Sequence, residues 1–382
     1  MPYEGKSRRR TFMKSAGAVG AIGMLSGCSA LSGDDGGDGG GSSNDGGTTG
    51  SQNLPEVTMT IGHGDPPQDM FQTHGSALFI QEYMDRHTDG KFTVEINAGG
   101  SLGTYTEMIE QVQAGSLQMT FPAEGHIAPI YPNINVYALP YAFRDPQHAL
   151  YVFDTEFGDQ LRQDMVNETG IRMLGWWENG GMRNFFVNTD NAGTELREPA
   201  DLEGLRFRTM EIQAHMEIVE SLGAQAEPIA WTELYNAIEQ GVVDGAELPI
   251  PVYMIPNLYE ITDWMIMDRH VYSMAMAITN DEWFRDLPAE YQRTLAQGMN
   301  LANMHARRIG QLLRRRGRGF IESRGVTVYD PTPEALAEFR SLTQGPVEEL
   351  VREEVADESM VDDLKSAIGD ATETLQYETS ED

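Results

Sequence analysis

Arginine side chains give this sequence its clearest candidate for chemistry. Residues 205–209 alternate apolar and basic side chains with period two, which predicts a strand that carries Arg206 and Arg208 on one face. A guanidinium binds a carboxylate through two parallel hydrogen bonds, so Arg208 at the end of a strand predicts capture of an organic acid. Arg183 precedes another short strand and is a second candidate for the same cleft. An internal salt bridge to one of the 59 acidic residues is the alternative.

A serine motif suggests a different chemistry. Gly99-Gly100-Ser101-Leu102-Gly103 fits the G-x-S-x-G pattern and lies between a predicted strand and a predicted helix, as a nucleophile elbow requires. A hydrolase would also need an acid and then a histidine further along the chain, where His270 or His305 are available. Neither stands in a turn-rich segment after a strand, so the pattern disfavours catalysis.

Metal chemistry has little support. The eight histidines are scattered, there is no H-E-x-x-H motif, and the chain has one cysteine. His63 with Asp65 and Asp69 forms a candidate cation site, for which a solvated acidic loop is the favoured alternative. We therefore expect no metal and no cofactor.

Composition limits the partners. The chain has 382 residues and a formal net charge of −32, which repels phosphate backbones and argues against nucleic acid. Only four of the 27 basic residues are lysines. An acidic excess with so little lysine predicts adaptation to very high salt.

The first residues predict export and anchoring. Arg9 and Arg10 precede a short stretch of apolar and small residues that ends in Leu25-Ser26-Gly27-Cys28, which resembles a lipobox. We therefore interpret residues 1–27 as a Tat-type lipoprotein signal peptide and Cys28 as the lipid-bearing residue. Residues 28–54 then contain the lipidated cysteine and a flexible tether of Gly, Ser and Asp.

Beyond the tether, predicted strands and helices alternate. The first such run covers residues 57–121, and the same rhythm restarts at about residue 182, which predicts two α/β lobes with mostly parallel sheets. Residues 281–323 have a helical pattern long enough to span both lobes, with a break allowed near Gly298, Gly310 or Gly317.

Several motifs, in one order, resemble the extracytoplasmic solute-binding proteins of TRAP transporters. They are GSLG (100–103), QAGSL (113–117), ALPYAF (138–143), WWENGGMR (176–183), DLEGLRFR (201–208), PIAWTELY (228–235), QGVVDGAE (240–247) and WFRDLP (283–288). Ordered matches over this span are more specific than any single motif, and they make the Ser101 turn a family loop.

The resemblance implies a periplasmic-binding-protein-like α/β fold, with two lobes, a hinge and a long helix that spans both. On this basis, lobe I consists of residues 55–180 plus 274–313. Lobe II consists of residues 181–273 plus 314–382.

The resemblance also implies a set of ligand contacts. Arg208 matches the family arginine that pairs with the ligand carboxylate, and Arg183 matches one that assists it. Trp231 stands where an aromatic residue lines the cleft, and Leu248 stands where many members have asparagine, which implies a less polar distal end of the ligand. The remaining candidates are Tyr105, the loop 122–126 with Glu124, Glu247 at a common acidic position, and His63.

The expected function is therefore delivery of a small organic acid to TRAP permease subunits from the outer face of the membrane. The ligand classes left open are C4-dicarboxylates, 2-oxo acids, lactate-like acids and sugar acids. A sensor component that signals to a kinase shares every feature, and the Ser101 hydrolase is the remaining alternative. Glu124, Glu211 and Glu247 are possible ligands for a cation that assists binding.

Overall fold

The computed structural model describes residues 54–376. The predicted signal peptide, Cys28 and all of the tether except Leu54 lie outside the described residues. Within 54–376, no helix is both long and apolar enough to cross a membrane.

The first lobe is built on a five-stranded sheet. Its strands are β1 (Val57–Gly62), β2 (Phe92–Asn97), β3 (Met119–Thr120), β4 (Ile171–Met182) and β10 (Tyr272–Asn280), in the order β2-β1-β3-β10-β4. The pairs β1-β2 and β1-β3 are parallel, whereas β10 is antiparallel to both β3 and β4. Because β10 lies inside this sheet, its residues 272–279 are all buried and its sequence is almost continuously apolar.

The second lobe is built on a six-stranded sheet. Its strands are β5 (Asn184–Val187), β6 (Arg206–Thr209), β7 (Gln225–Pro228), β8 (Gly245–Leu248), β9 (Trp264–Ile266) and β11 (Thr327–Tyr329), in the order β11-β9-β5-β8-β6-β7. Strand β6 is parallel to β7 and β8, whereas β5 is antiparallel to β8 and β9. Each lobe thus contains an antiparallel strand that the alternation of strands and helices did not predict.

Helices cover both sheets. The first seven are α1 (Gln72–His87), α2 (Tyr105–Gln113), α3 (Glu124–Ile127), α4 (Pro146–Phe153), α5 (Glu156–Thr169), α6 (Thr189–Ala192) and α7 (Gln213–Ser221). The other six are α8 (Leu234–Glu239), α9 (Ile250–Met254), α10 (Asp281–Asp286), α11 (Ala289–Glu322), α12 (Pro333–Glu354) and α13 (Ser359–Thr374).

Two of the passages of the chain between the lobes lie side by side. Strand β4 ends at Met182 and β5 begins at Asn184, so Arg183 alone forms the outward crossing. The return crossing lies between Ile266 and Tyr272. The two crossings are joined by a hydrogen bond in which the Arg183 amide donates to the Val271 carbonyl at 2.8 Å. This pair of segments is the hinge.

Helix α11 is unbroken over 34 residues and packs on elements of both lobes, namely α1 and β4 on one side and α9 on the other. It starts at Ala289 because Pro288 separates it from α10. Its glycines do not break it. Gly298, Gly310 and Gly317 are buried, and neighbouring side chains approach so closely there that a Cβ atom would collide with them.

The two C-terminal helices follow the hinge side of the molecule. Helix α12 packs mainly against α7 of the second lobe, whereas α13 packs against α4 and α5 of the first. The contacts of α13 differ from the sequence-based division, which placed all of 314–382 in lobe II. One continuous apolar cluster includes Ile278 of the first sheet, Phe207 of the second, and Phe339 and Leu364 of these helices.

The close approach at Gly310 makes a stability prediction. In Gly310→Ala the new Cβ would lie 2.4 Å from Glu178 Oε1 and 2.6 Å from Gln72 Nε2, both of which are buried side chains. Overpacking of this kind costs about 1–3 kcal/mol, against a helix-propensity gain of about 1 kcal/mol. We expect a lower free energy of unfolding, measured by chemical denaturation at fixed salt.

The matched control lies on the same helix. Gly319 is exposed, and a Cβ added to it would have no heavy atom within 4 Å, so Gly319→Ala should stabilise the protein by up to about 1 kcal/mol. Equal effects of the two substitutions would show that packing at Gly310 is not tight.

Candidate ligand-binding site

The lobes meet around a small cavity, which we call the ligand cavity. It consists of two adjoining pockets, the larger with an empty volume of about 440 Å³. Both pockets are lined by Tyr105, His126, Arg208, Met210 and Trp231. The larger pocket is also lined by Asp65, Thr73, Phe121, Ala123, Asn179, Arg183, Leu248, Val252, Ile255 and Ala275.

Arg208 lies in the wall of this cavity and makes few hydrogen bonds to the protein. It lies near the end of β6 and is 1% exposed. Its Nε donates to the Ile229 carbonyl at 2.7 Å, and no other hydrogen bond of its guanidinium is found within residues 54–376. Burial and the positive charge of Arg183 together lower the pKa of Arg208 to about 10. A buried cation with free donors favours an incoming anion.

Arg183 also lines the cavity, but the protein already neutralises its charge. Its Nη2 donates to Glu247 Oε1 and to the Glu247 carbonyl, each at 2.7 Å, and its Nε donates to Glu247 Oε2. Its Nη1 donates to Ser273 Oγ at 3.3 Å. The charge of the Arg183 guanidinium is therefore already paired with Glu247 when no ligand is bound.

Glu247 belongs to a buried polar network behind the cavity. His270 Nε2 lies 3.4 Å from Glu247 Oε2, and His270 Nδ1 lies 2.6 Å from Asp268 Oδ2. Burial alone would raise the pKa of Glu247, but Arg183, His215 and His270 hold it well below its usual range. Burial would lower the pKa of His270, but Asp268 and then Glu247 raise it to about 9. Glu247 does not line the ligand cavity.

Glu124 joins the same network from the first lobe. It is fully buried and accepts hydrogen bonds from Ser273 Oγ at 3.1 Å and from the Met274 amide at 2.9 Å. Burial raises the pKa of Glu124 to about 7, although Arg183 opposes this shift. Its side chain also lies outside the cavity wall.

An aromatic and polar wall closes the cavity on the first-lobe side. The rings of Tyr105 and His126 stack with centroids 4.7 Å apart. Asp65 is buried and accepts hydrogen bonds from the side chains of Thr73 and Trp231, so it links the two lobes. Burial raises the pKa of Asp65, against the effect of these hydrogen bonds.

Two further predicted residues have different positions. Leu248 lies in the cavity wall with Val252 and Ile255, which makes that side apolar. His63 does not line the cavity, and its Nε2 lies 3.0 Å from His74 Nδ1 in a buried pair. Burial, and then the neighbouring His74, lower the pKa of His63 to about 4.

The sequence-based hypotheses of catalysis and metal binding find no matching geometry. Ser101 lies in an exposed turn, and no hydrogen bond joins it to a histidine in the part of the chain that the structure describes. His270 faces Asp268 and Glu247, and His305 stacks on Phe79. Over residues 54–376, no three His, Cys, Asp or Glu side chains are grouped so that they could hold a metal ion.

The lobes are in contact across the cavity. Thr106 Oγ1 donates to Glu211 Oε2 at 3.1 Å, and Gly125 lies against Met210. Together with the hydrogen bond between Asp65 and Trp231, these contacts enclose the space in front of Arg208.

Sequence reasoning named five of the lining residues individually as ligand contacts, Tyr105, Arg183, Arg208, Trp231 and Leu248, and its loop 122–126 contains two more, Ala123 and His126. It missed Thr73 and Asn179, which are ordinary polar residues with no local pattern, and it considered Asp65 only as a cation ligand. The available signal for Asn179 is its place in the motif WWENGGMR, four residues before the predicted contact Arg183.

Comparisons with known proteins agree with this architecture. Residues 62–354 match DctP, the bacterial extracellular solute-binding protein family 7. A solute-binding protein from Verminephrobacter eiseniae is 31% identical over 255 residues, which cover 65% of this chain and 72% of the relative. The 2,3-diketo-L-gulonate-binding periplasmic protein YiaO of Escherichia coli K12 is 26% identical over 62% of this chain and 70% of the relative.

Solved structures show the same fold. The sugar acid binding protein DctPAm from Advenella mimigardefordensis, in complex with galactonate, has a TM-score of 0.78 and 24% identity, covering 83% of this chain and 99% of that one. A TRAP periplasmic solute-binding protein from Roseobacter denitrificans with bound β-D-glucuronate has a TM-score of 0.74 and 26% identity, covering 81% and 98%.

The fold and the cleft thus define a two-lobed solute-binding protein. The chain belongs to family 7 of the bacterial extracellular solute-binding proteins, the family of TRAP transporters. It is therefore an extracytoplasmic solute-binding protein.

The buried carboxyl of Glu124 makes a pH prediction. Its pKa rises from an ordinary 4.5 to about 7 in the folded protein, so the folded state binds the extra proton between these values. Stability contributed by this group is therefore lost as pH rises through that window. We expect the free energy of unfolding of the wild type to fall relative to that of Glu124→Gln as pH rises over the same range.

Chemical denaturation at a series of pH values and fixed salt measures this difference. Glu110→Gln removes an exposed glutamate and reports the effect of losing one surface charge. A constant difference between wild type and Glu124→Gln from pH 4.5 to 7 would mean that Glu124 does not hold its proton.

Proposed function

We propose that this protein captures a hydroxylated monocarboxylate and delivers it to TRAP permease subunits. The observation that supports this most directly is the guanidinium of Arg208, which has no ion-pair partner in residues 54–376 and faces a cavity that also contains the carboxyl group of Asp65. The balance of charges in the cavity wall sets the number of carboxylates that a ligand can carry.

The cavity offers a cationic partner for one ligand carboxylate but not for a second. Arg208 can take one ligand carboxylate in a bidentate pair. Arg183 is already paired with Glu247, so a second ligand carboxylate would lack a free cation. It would also lie in the same small space as Asp65, and like charges at short range in a buried site are unfavourable. This favours monocarboxylates over dicarboxylates.

The polar groups on the first-lobe side suit hydroxyl groups. Asp65, Thr73 and Asn179 offer hydrogen-bond acceptors and donors within one pocket. A site built to hydrogen-bond a hydroxyl rejects an analogue that lacks it, because its buried polar groups are then unpaired. The names of YiaO and of the glucuronate-bound relative also specify hydroxylated or oxidised sugar acids.

The second-lobe side of the cavity is apolar and suits an apolar part of the ligand. Leu248, Val252 and Ile255 place apolar surface there, and an extended polyhydroxylated chain would lose hydrogen bonds against it. We therefore infer a short hydroxy acid with an apolar end rather than a long sugar acid.

Export and anchoring complete the proposal. The twin arginines, the short apolar stretch and Cys28 support Tat export followed by lipid attachment at that cysteine. The tether of Gly, Ser and Asp would then hold the protein near its permease. The net charge of −32 with four lysines supports a high-salt habitat.

The first test is loss of binding in Arg208→Ala. Truncating one partner of a buried charge pair costs about 2–5 kcal/mol, so affinity should fall by about 30- to 5,000-fold. Thermal unfolding in multimolar KCl against a panel of hydroxy acids, dicarboxylates and neutral sugars measures this. A ligand at 100 times its Kd stabilises by about 2.7 kcal/mol.

Arg206→Ala is the matched control. Arg206 lies two residues earlier on β6, pairs with Asp244 and does not line the cavity. This variant should keep the ligand response. Retention of the response in Arg208→Ala, or a response to neutral sugars alone, would disprove carboxylate capture at Arg208.

The second test separates the hydroxyl contact from the carboxylate contact. In Asp65→Asn the preference for a hydroxy acid over its deoxy analogue should fall by about tenfold or more, because hydrogen bonds to a charged group contribute about 1.5–3 kcal/mol. Calorimetric affinities for both ligands give the ratio.

Asp69→Asn makes the same charge change at an exposed position and should leave this ratio unchanged. If Asp65→Asn lowers the affinity for both ligands equally, Asp65 does not bind the hydroxyl group of the ligand. If a dicarboxylate binds most tightly to the wild type, the monocarboxylate proposal is wrong.

A further inference from the structure

A second cavity lies behind the hinge and has no wall residue in common with the ligand cavity. We call it the hinge cavity; its empty volume is about 750 Å³. It is lined by Arg144, Asp145, Pro146, Gly180, Met182, Asn184, Ile250, Pro251, Met267, Arg269 and Arg314.

The two cavities occupy opposite sides of the same chain segments. Met182 and Asn184 line the hinge cavity, whereas Arg183 between them lines the ligand cavity. Successive residues of an extended chain point to opposite faces, so the outward crossing forms a wall shared by both sites.

Three arginines gather in this cavity, in a chain whose acidic residues outnumber its basic residues 59 to 27. The one acidic residue in the wall is Asp145, whose side chain accepts hydrogen bonds from the Gln147 and His148 amides at the start of α4. An adjoining groove shares Arg144 and Arg269 and adds Arg340 and one acidic residue, Asp268. The local charge is thus opposite to that of the whole molecule.

The ion pairs of two of these arginines do not use all of their donors. Arg314 uses its Nε toward Glu178 Oε2 at 2.9 Å, and no hydrogen bond of its Nη groups is found in the described residues. Arg269 lies 3.5 Å from Asp330, and both of these side chains are about half exposed. A pair at that distance and exposure is weak.

Arg269 also has an unfavourable backbone conformation. Its φ is +55°, in the left-handed region that a non-glycine residue rarely adopts. The Arg269 amide donates to Asn184 Oδ1 at 3.3 Å, which ties the return crossing to the outward crossing. Strain of this kind persists where the surrounding structure fixes a side chain in a particular place.

We propose that the hinge cavity is a second anion site that binds a small organic polycarboxylate. The Nη groups of Arg314 and the weakly paired guanidinium of Arg269 can each take a carboxylate, and guanidinium forks recognise carboxylates bidentately. The floor of Met182, Ile250, Pro251 and Met267 is apolar, which favours an organic anion over an inorganic one.

An anion at this site contacts both lobes. Arg144 stands before α4 of the first lobe, Arg269 lies on the return crossing, and Arg314 lies on α11, which packs on both. Binding there stabilises one angle between the lobes. Because the outward crossing is a shared wall, the affinity of the ligand cavity depends on occupancy of the hinge cavity, and the dependence is reciprocal.

Calorimetric titration of the purified protein with tricarballylate, a tricarboxylate without a hydroxyl group, tests the site. Titrations in wild type and in Arg208→Ala at matched ionic strength separate the two cavities. We expect one binding event that persists in Arg208→Ala and weakens by at least about tenfold in Arg269→Gln. Arg144→Gln should weaken it as well, which covers the case in which Arg269→Gln does not fold.

Arg315→Gln is the matched control, since Arg315 is the exposed neighbour of Arg314 and does not line the cavity. It should change the affinity less than twofold. Absence of binding, loss of binding in Arg208→Ala alone, or equal effects of Arg269→Gln and Arg315→Gln would each overturn the proposal. Sulfate that binds as tightly as tricarballylate would overturn the polycarboxylate class. Failure of carboxylate capture at Arg208 would leave this result unaffected.

Discussion

The buried ion pair between Arg183 and Glu247 is the interaction on which the rest of the structure depends. Arg183 is the single residue of the outward crossing, and Glu247 lies on β8 of the second lobe, so the pair fixes the crossing to that sheet. Removing both charges from water is costly, and the cost is recovered only when the remaining donors and acceptors are satisfied. Ser273 and His270 contact the pair directly, and Glu124 accepts a hydrogen bond from Ser273. The network leaves Arg208 as the cavity's uncommitted cation.

Buried glycines allow the long helix α11 to pack closely on both lobes. Helix α11 packs on both lobes because Gly298, Gly310 and Gly317 let neighbouring side chains approach its axis. The C-terminal helices extend one apolar cluster from the first sheet to the second. The lobes are thus tied together on the hinge side and meet through a few polar contacts, such as Thr106 with Glu211, on the other.

Local sequence patterns predicted much of this molecule, and they failed where partners are distant along the chain. Period-two alternation located β6 and the position of Arg208, and the helical pattern before Ser323 located α11. No local pattern shows that β10 enters the first sheet antiparallel, or that Arg183 pairs with Glu247, 64 residues away. His63 and Glu124 were expected in the cleft because they are polar and close to matching loops. Burial against His74 and Ser273 instead places them behind its wall.

The position of β10 determines the order in which the lobes can be completed. This strand lies between β3 and β4, yet it follows them in the chain only after all of β5 to β9. The first sheet consequently has a gap until residues beyond 272 have left the ribosome, and an incomplete sheet exposes unpaired strand edges. Contacts of such long sequence separation slow folding. A nascent chain of this protein therefore holds two unfinished lobes at once and closes both late in synthesis.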